Sequence, residues 1–142
     1  MSNIHILYPA IAMFSLTIFC VVKLGLTRFF AVRRKEVSVS FFSTYSKGTQ
    51  PPRLHLLMRH VQNHFEVPPL FYIAVVALLV THSVSQSDII LAWLFVGSRL
   101  VHTLIHLGHN NVSQRFFVFG FGLICLCGLW GSLFVAVMQN AG

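Results

Sequence analysis

The chain is short of charge, and above all of acid. Only 9% of its 142 residues are charged, with three acidic residues against ten Lys and Arg. A soluble domain carries about a quarter charged residues, so a water-facing domain is excluded, and with it any separate soluble catalytic module. Cysteine is also scarce. Cys20, Cys125 and Cys127 all lie in apolar runs and none forms a CxxC pair. They read as core packing, with no disulfide framework or zinc site expected. No internal repeat or low-complexity tract is present, and no basic stretch precedes the first apolar run, which argues against a secretory signal. What is present is apolar: 56% of residues are hydrophobic, and the mean hydropathy is +0.76. This composition describes an all-α integral membrane protein with one domain over residues 1–142.

Four apolar stretches reach spanning length, which is about 20 residues: 4–26, 62–82, 89–107 and 116–138. The link between the first two holds Arg28, Arg33, Arg34, Lys35, Lys47 and Arg53 against Glu36 alone, and the short third link ends in Arg115. The link from Ser83 to Asp88 and both termini lack Lys and Arg. The positive-inside rule then places the two basic links in the cytoplasm and both termini outside. The net charge of +7 thus reads as a topology signal and a contact with anionic lipid, not as nucleic-acid binding. The Gly-Thr-Gln-Pro-Pro run at 48–52 should break any helix. The second helix is expected to start near Arg53 and to kink at Pro68 and Pro69. In the fourth span Gly128, Ser132 and Ala136 recur at every fourth position, a spacing that lets helices approach closely.

The polar residues inside the spans carry the functional signal. Glu66 is the one formal charge between His64 and His82, and an ionisable group at that depth is costly unless it has a partner or a role. Arg59, Asn63 and Glu66 fall within about 60° of one another around a helix, and Arg99, His102, Thr103 and His106 within about 100°. Counted from the outer ends of the spans, Glu66 is expected level with His106, with Arg99 about 9 Å deeper. Arg28 and Arg115 end and begin spans on the same side. Together these groups describe a cationic site suited to a carboxylate-bearing ligand, since Arg offers bidentate recognition of carboxylates, while Glu66 and Asn63 would receive an ammonium or amide.

Plainer readings of the same residues stay open. Arg59 and Arg115 fit interfacial snorkelling, Glu66 with Arg99 fits a structural ion pair, and His102 and Thr103 fit interhelical hydrogen bonding. His60-x3-His64 and His102-x3-His106 each place two imidazoles one turn apart, a spacing that a metal or haem can use. His60 and His64, however, point about 100° or more away from Arg59, and the arginines repel a cation, so no metal is expected.

The pattern Arg59-x3-Asn63-x2-Glu66-x2-Pro69 resembles the second-helix signature of the MAPEG family, the membrane-associated proteins of eicosanoid and glutathione metabolism. Arg99-x2-His102-Thr103-x2-His106-Leu107-Gly108, followed by Arg115, resembles the third helix and fourth-helix start of its microsomal prostaglandin E synthases. The resemblance covers nearly the whole chain and implies a homotrimer of four-helix subunits. Glutathione would lie between subunits at the cytoplasmic side as co-substrate, and a lipophilic substrate would arrive from the lipid. It further implies that Arg59, Asn63, Glu66, His102 and His106 hold glutathione, with Arg115 beside its sulfur as the catalytic residue; Arg99 joins the glutathione-binding set as a member of the cationic cluster. The first-helix arginine of the family has its candidate in Arg28, with Arg33 behind it. The expected activity is conjugation of lipophilic electrophiles or reduction of lipid hydroperoxides, in the plasma membrane of a bacterium. His106 stands where better-known members have a tyrosine, Phe116 where a prostaglandin synthase has serine, and Val67 where others have a polar or aromatic residue. A non-catalytic protein that keeps the fold is therefore the competing reading.

Overall fold

A computed structural model describes residues 3–45 and 49–140. The architecture is all-α, as expected, with no strand among the described residues. After a 3-10 turn at Asn3–Ile6 come α1 (Leu7–Arg33), a short α2 (Phe41–Thr44), α3 (Pro52–Glu66), α4 (Pro68–Val80), α5 (Gln86–Leu107) and α6 (Val112–Asn140). α3 and α4 are two halves of one span, so four helices are long and apolar enough to cross a membrane.

The helix ends follow from local chemistry. α1 runs past Leu26 to Arg33 because no breaker interrupts the sequence there, and so Arg28 and Arg33 are helical residues. Ser46, Lys47 and Gly48, which belong to the basic link and its expected break, lie outside the described residues. Thr49, Gln50 and Pro51 are non-helical, and α3 then opens on Pro52, where a missing N–H is no loss. Pro68 and Pro69 deprive the carbonyls of His64 and Phe65 of their usual donors, and the helix breaks at Val67, whose N–H reaches Asn63 O at a long 3.4 Å. α5 starts three residues before its apolar run because Ser85 and Asp88 form a capping box: Asp88 Oδ2 accepts from Ser85 N–H at 2.8 Å, and Ser85 Oγ accepts from Asp88 N–H at 3.3 Å.

The interior has two apolar clusters. One gathers Ile6, Met13, Phe71, Phe95 and Leu129 toward the end that carries the chain termini. The other gathers Leu24, Phe41, Leu54, Leu57 and Val61 toward the end that carries the basic link. Along α1, α3–α4 and α5, the residues between these clusters are polar: Thr17, His60, His64, Arg99, His102 and Thr103. A polar belt therefore crosses the core at one level. The outer surface is apolar, with Phe14, Ile73, Leu104, Phe116 and Phe134 all exposed on it, as lipid contact requires.

α5 and α6 pack closely, and Gly122 is where they meet. A Cβ there would lie 2.5 Å from Ser98 Oγ and 3.9 Å from the Phe95 ring. Gly122→Val is expected to destabilise the fold by about 1–3 kcal/mol through overpacking, read as a lower midpoint of thermal unfolding in detergent. Adding Ser98→Ala should recover part of the loss, because it removes the nearest atom.

Candidate functional site

α3 is two-faced. Leu54, Leu57, His60, Val61 and His64 turn inward, following the spacing of a buried helical stripe. The Arg59, Asn63 and Glu66 stripe turns outward: Arg59 and Glu66 are exposed and Asn63 is half-buried. Glu66 Oε1 accepts from Gln62 Nε2 at 3.2 Å. The three residues do share a stripe, but it lies on the outer face of the helix, whereas Arg99, His102 and His106 are buried.

Depth differs from expectation as well. His106 Nε2 bonds Leu56 O at 2.9 Å, and its ring stacks on His60 at 4.7 Å. The level of His106 on α3 is therefore Leu56 to His60, at least about 9 Å before Glu66. The early start of α5, set by the Ser85 cap, shifts the register against α4 and α3. A count from the apolar runs alone misses that shift.

The inward face of α3 completes the polar belt. His60 is fully buried and His64 is 2% exposed. Thr103 Oγ1 donates to Arg99 O at 2.8 Å, which uses its one hydrogen. It can therefore only accept from His60 Nε2, 3.1 Å away, and the His60 proton sits on Nε2. Thr17 Oγ1 likewise donates to Met13 O at 3.0 Å and accepts from His64 Nδ1–H at 3.1 Å. His64 Nε2 is then a lone pair, facing His60 Nε2 at 3.3 Å and Cys20 Sγ at 3.8 Å. His102 stacks on His60 at 5.6 Å and lies 5.9 Å from His106. Cys20, read from the sequence as core packing, is buried as expected but lies against an imidazole.

Arg99 is 1% exposed, its guanidinium stands 5.3 Å from the Phe119 ring, and its Nε and Nη2 have no hydrogen-bond partner among the described residues. A Glu66–Arg99 ion pair is not what holds it.

His106 links the belt to the basic end. A carbonyl only accepts, so His106 Nε2 carries the proton toward Leu56 O, and Nδ1 accepts from Arg115 Nη1 at 2.8 Å. Arg115 Nη1 also donates to Asn110 Oδ1 at 2.5 Å. The loop makes this possible. Gly108 brings the chain so close to Leu104 O that a Cβ would lie 2.8 Å from it. Asn110 then takes a left-handed φ of 52°, which asparagine tolerates well. Beside His106 a cavity of about 340 Å³ opens at this end, with Lys23, Arg53 and Asn110 on its walls. Arg28 stands apart from these groups, donating to Tyr45 Oη at 3.4 Å with Phe42 under its guanidinium.

The predicted residues thus divide. Arg99, His102, His106 and Arg115 belong to the belt and its basic end, Arg59, Asn63 and Glu66 to the outer face, and Arg28 to the link. Sequence reasoning missed His60, His64, Thr17 and Cys20 as members of the belt. Their signal was present in His60 and His64 lying on the same apolar stripe as Leu57 and Val61.

The family model for MAPEG matches residues 6–135 of the chain. No individual curated protein and no solved structure gives a match.

Proposed function

The chain belongs to the MAPEG family, and from that premise we propose that it is a glutathione-dependent membrane transferase or peroxidase working as a homotrimer. Glutathione would bind between neighbouring subunits at the cytoplasmic side. The observation that carries this reading is the outer face of α3. Arg59 and Glu66 are exposed in a span whose surrounding surface, Phe65 and Leu70 included, is apolar. Charges at such a place need protein or water over them. A second subunit would cover the stripe and bring its own cationic groups to it, and a small zwitterion held there would satisfy both signs. Arg59 suits a glutathione carboxylate, Glu66 the ammonium, and Asn63 an amide.

The chemistry follows from the thiol. A guanidinium beside the sulfur stabilises the thiolate, which is the nucleophile, and Arg115 is assigned that role. The thiolate attacks an electrophilic carbon of a lipophile, the C–S bond forms, and the leaving group departs with its electron pair. With a lipid hydroperoxide it attacks oxygen and breaks the O–O bond, giving the alcohol and a sulfenic acid. A second glutathione converts that acid to the disulfide and water.

Titration calorimetry of the detergent-purified protein tests the proposal. Glutathione should bind in the micromolar to low-millimolar range, and Glu66→Gln should weaken binding about tenfold or more, as expected for loss of a charge-assisted hydrogen bond. Absence of binding to well-folded protein would rule the enzyme reading out. The competing reading is a binding or structural member of the family. It is favoured by the engagement of Arg115 Nη1 with His106 and Asn110 inside its own subunit. Binding lost in Glu66→Gln would count against that reading.

A further inference from the structure

We infer that Cys20, His60 and His64 form a binding site for a soft monovalent metal ion, Cu(I), in the core of each subunit. The ligand atoms of these three buried residues all lie within 4.8 Å of one another. His60 Nε2 and His64 Nε2 are 3.3 Å apart, and Cys20 Sγ is 3.8 Å from His64 Nε2. A metal held by nitrogen at about 2.0–2.1 Å and sulfur at about 2.3 Å, at tetrahedral to trigonal angles, sets its ligands roughly 3.3–3.8 Å apart. Two of the three separations fall in that range, and the third, between Cys20 and His60, is within 4.8 Å, so an ion would draw those two side chains together.

The surroundings of His64 are those of a metal ligand, whereas His60 Nδ1 is buried with no hydrogen-bond partner among the described residues. A ligating histidine usually donates its second ring N–H to an oxygen, which fixes tautomer and orientation. His64 does this with Nδ1–H to Thr17 Oγ1 at 3.1 Å, leaving the Nε2 lone pair toward the thiol. The imidazole stack faces the basic end: His60 lies on His106 at 4.7 Å, and His106 lines the cavity there. The four rings contact one another at 4.7–5.9 Å, which leaves no slot for a porphyrin between them.

Charge selects the ion. The Arg99 guanidinium is near enough to Cys20 and His64 to act on both electrostatically. Cys20 as thiolate with a divalent ion and two neutral imidazoles would leave a net positive centre buried beside that cation. With Cu(I) the centre is neutral, and burial then carries no uncompensated charge. Thiolate and imidazole donors in a three-coordinate set also suit Cu(I). Binding forms one Cu–S and two Cu–N bonds, moves the His60 proton from Nε2 to Nδ1 with loss of the bond to Thr103 Oγ1, and releases the thiol proton to solvent, with no change of oxidation state. The inference stands on these residues alone and does not depend on glutathione.

The test is anaerobic titration of the detergent-purified full chain with Cu(I) against a bicinchoninate competitor, followed by X-ray absorption at the copper edge. The expected result is one Cu(I) per chain with one sulfur and two nitrogen neighbours. Cys20→Ser and His64→Gln should each weaken it about a hundredfold or more, whereas Cys127→Ser, at an exposed position, should leave it unchanged. Far-UV circular dichroism confirms that the variants keep their helices. Folded wild-type protein that yields all its copper to the competitor overturns the inference, and so does equal retention by Cys20→Ser. Tighter retention of Zn(II) than of Cu(I) overturns the assignment of a monovalent ion.

Discussion

Arg115→Ala is expected to lower the rate of glutathione conjugation about a hundredfold or more, the usual loss when one preorganised donor is removed from developing charge. Its position explains the size of the effect. Arg115 Nη1 is fixed by His106 Nδ1 at 2.8 Å and by Asn110 Oδ1 at 2.5 Å, whereas its buried Nε has no hydrogen-bond partner among the described residues. The guanidinium is thus anchored through Nη1. If it stabilises the thiolate, the residual rate in Arg115→Ala should climb with pH through the ordinary thiol range near 8.5, as thiolate forms without help. Wild type should already be flat there, and Arg115→Lys should restore part of the rate. His106→Phe removes the acceptor that aims the guanidinium. It should lower the rate by a smaller factor while leaving the pH profile close to wild type. A rate for Arg115→Ala equal to wild type at every pH would remove Arg115 from the mechanism and favour the non-catalytic reading.

Helix content and the positions of the breaks were readable from sequence because they rest on local chemistry. The run of apolar residues sets each span, Pro68 removes a donor wherever it stands, and the stripe of Arg59, Asn63 and Glu66 follows from helical geometry alone. Which stripe of α3 faces inward was not readable. In a membrane protein the lipid-facing residues Phe65 and Leu70 are as apolar as the buried Leu57 and Val61, so hydrophobicity does not distinguish core from surface. In the sequence His60 and His64 read only as a pair of imidazoles one turn apart, set aside as a metal site, because their partners, Thr17, Cys20 and Thr103, come from other helices. Pairing them requires the packing of α3 against both α1 and α5, and the α5 register depends on where Ser85 caps it. The small-residue run of α6 was readable in kind only. Gly128 packs on Leu91, where a Cβ would lie 3.0 Å from Cδ1, but the closest approach on α6 is at Gly122, outside that run.

Arg99→Met should raise the thermal stability of the folded chain, whereas Arg99→Ala should lower it. The guanidinium is 1% exposed, and Nε and Nη2 have no hydrogen-bond partner among the described residues. Its contact with the Phe119 ring, at 5.3 Å, returns about 2 kcal/mol when desolvated, less than the several kcal/mol that burying an ion costs. Methionine keeps much of the stem packing and removes the charge, and replacing buried ions by apolar residues of similar volume stabilises proteins by about 1–4 kcal/mol. Alanine removes the charge too, but leaves a cavity costing about 2–5 kcal/mol. The two variants should therefore move the unfolding midpoint in opposite directions. A destabilised Arg99→Met would mean that a neighbouring subunit or a bound anion pairs with the guanidinium in the assembled protein. The same substitution also bears on the metal. Without the cation beside Cys20 and His64 a divalent centre is no longer disfavoured, so Arg99→Met should bind Zn(II) more tightly than wild type while Cu(I) affinity changes little. A residue that costs stability and bars divalent ions has a reason to be arginine only if that charge is used, either to select the ion or to hold the carboxylate of a ligand.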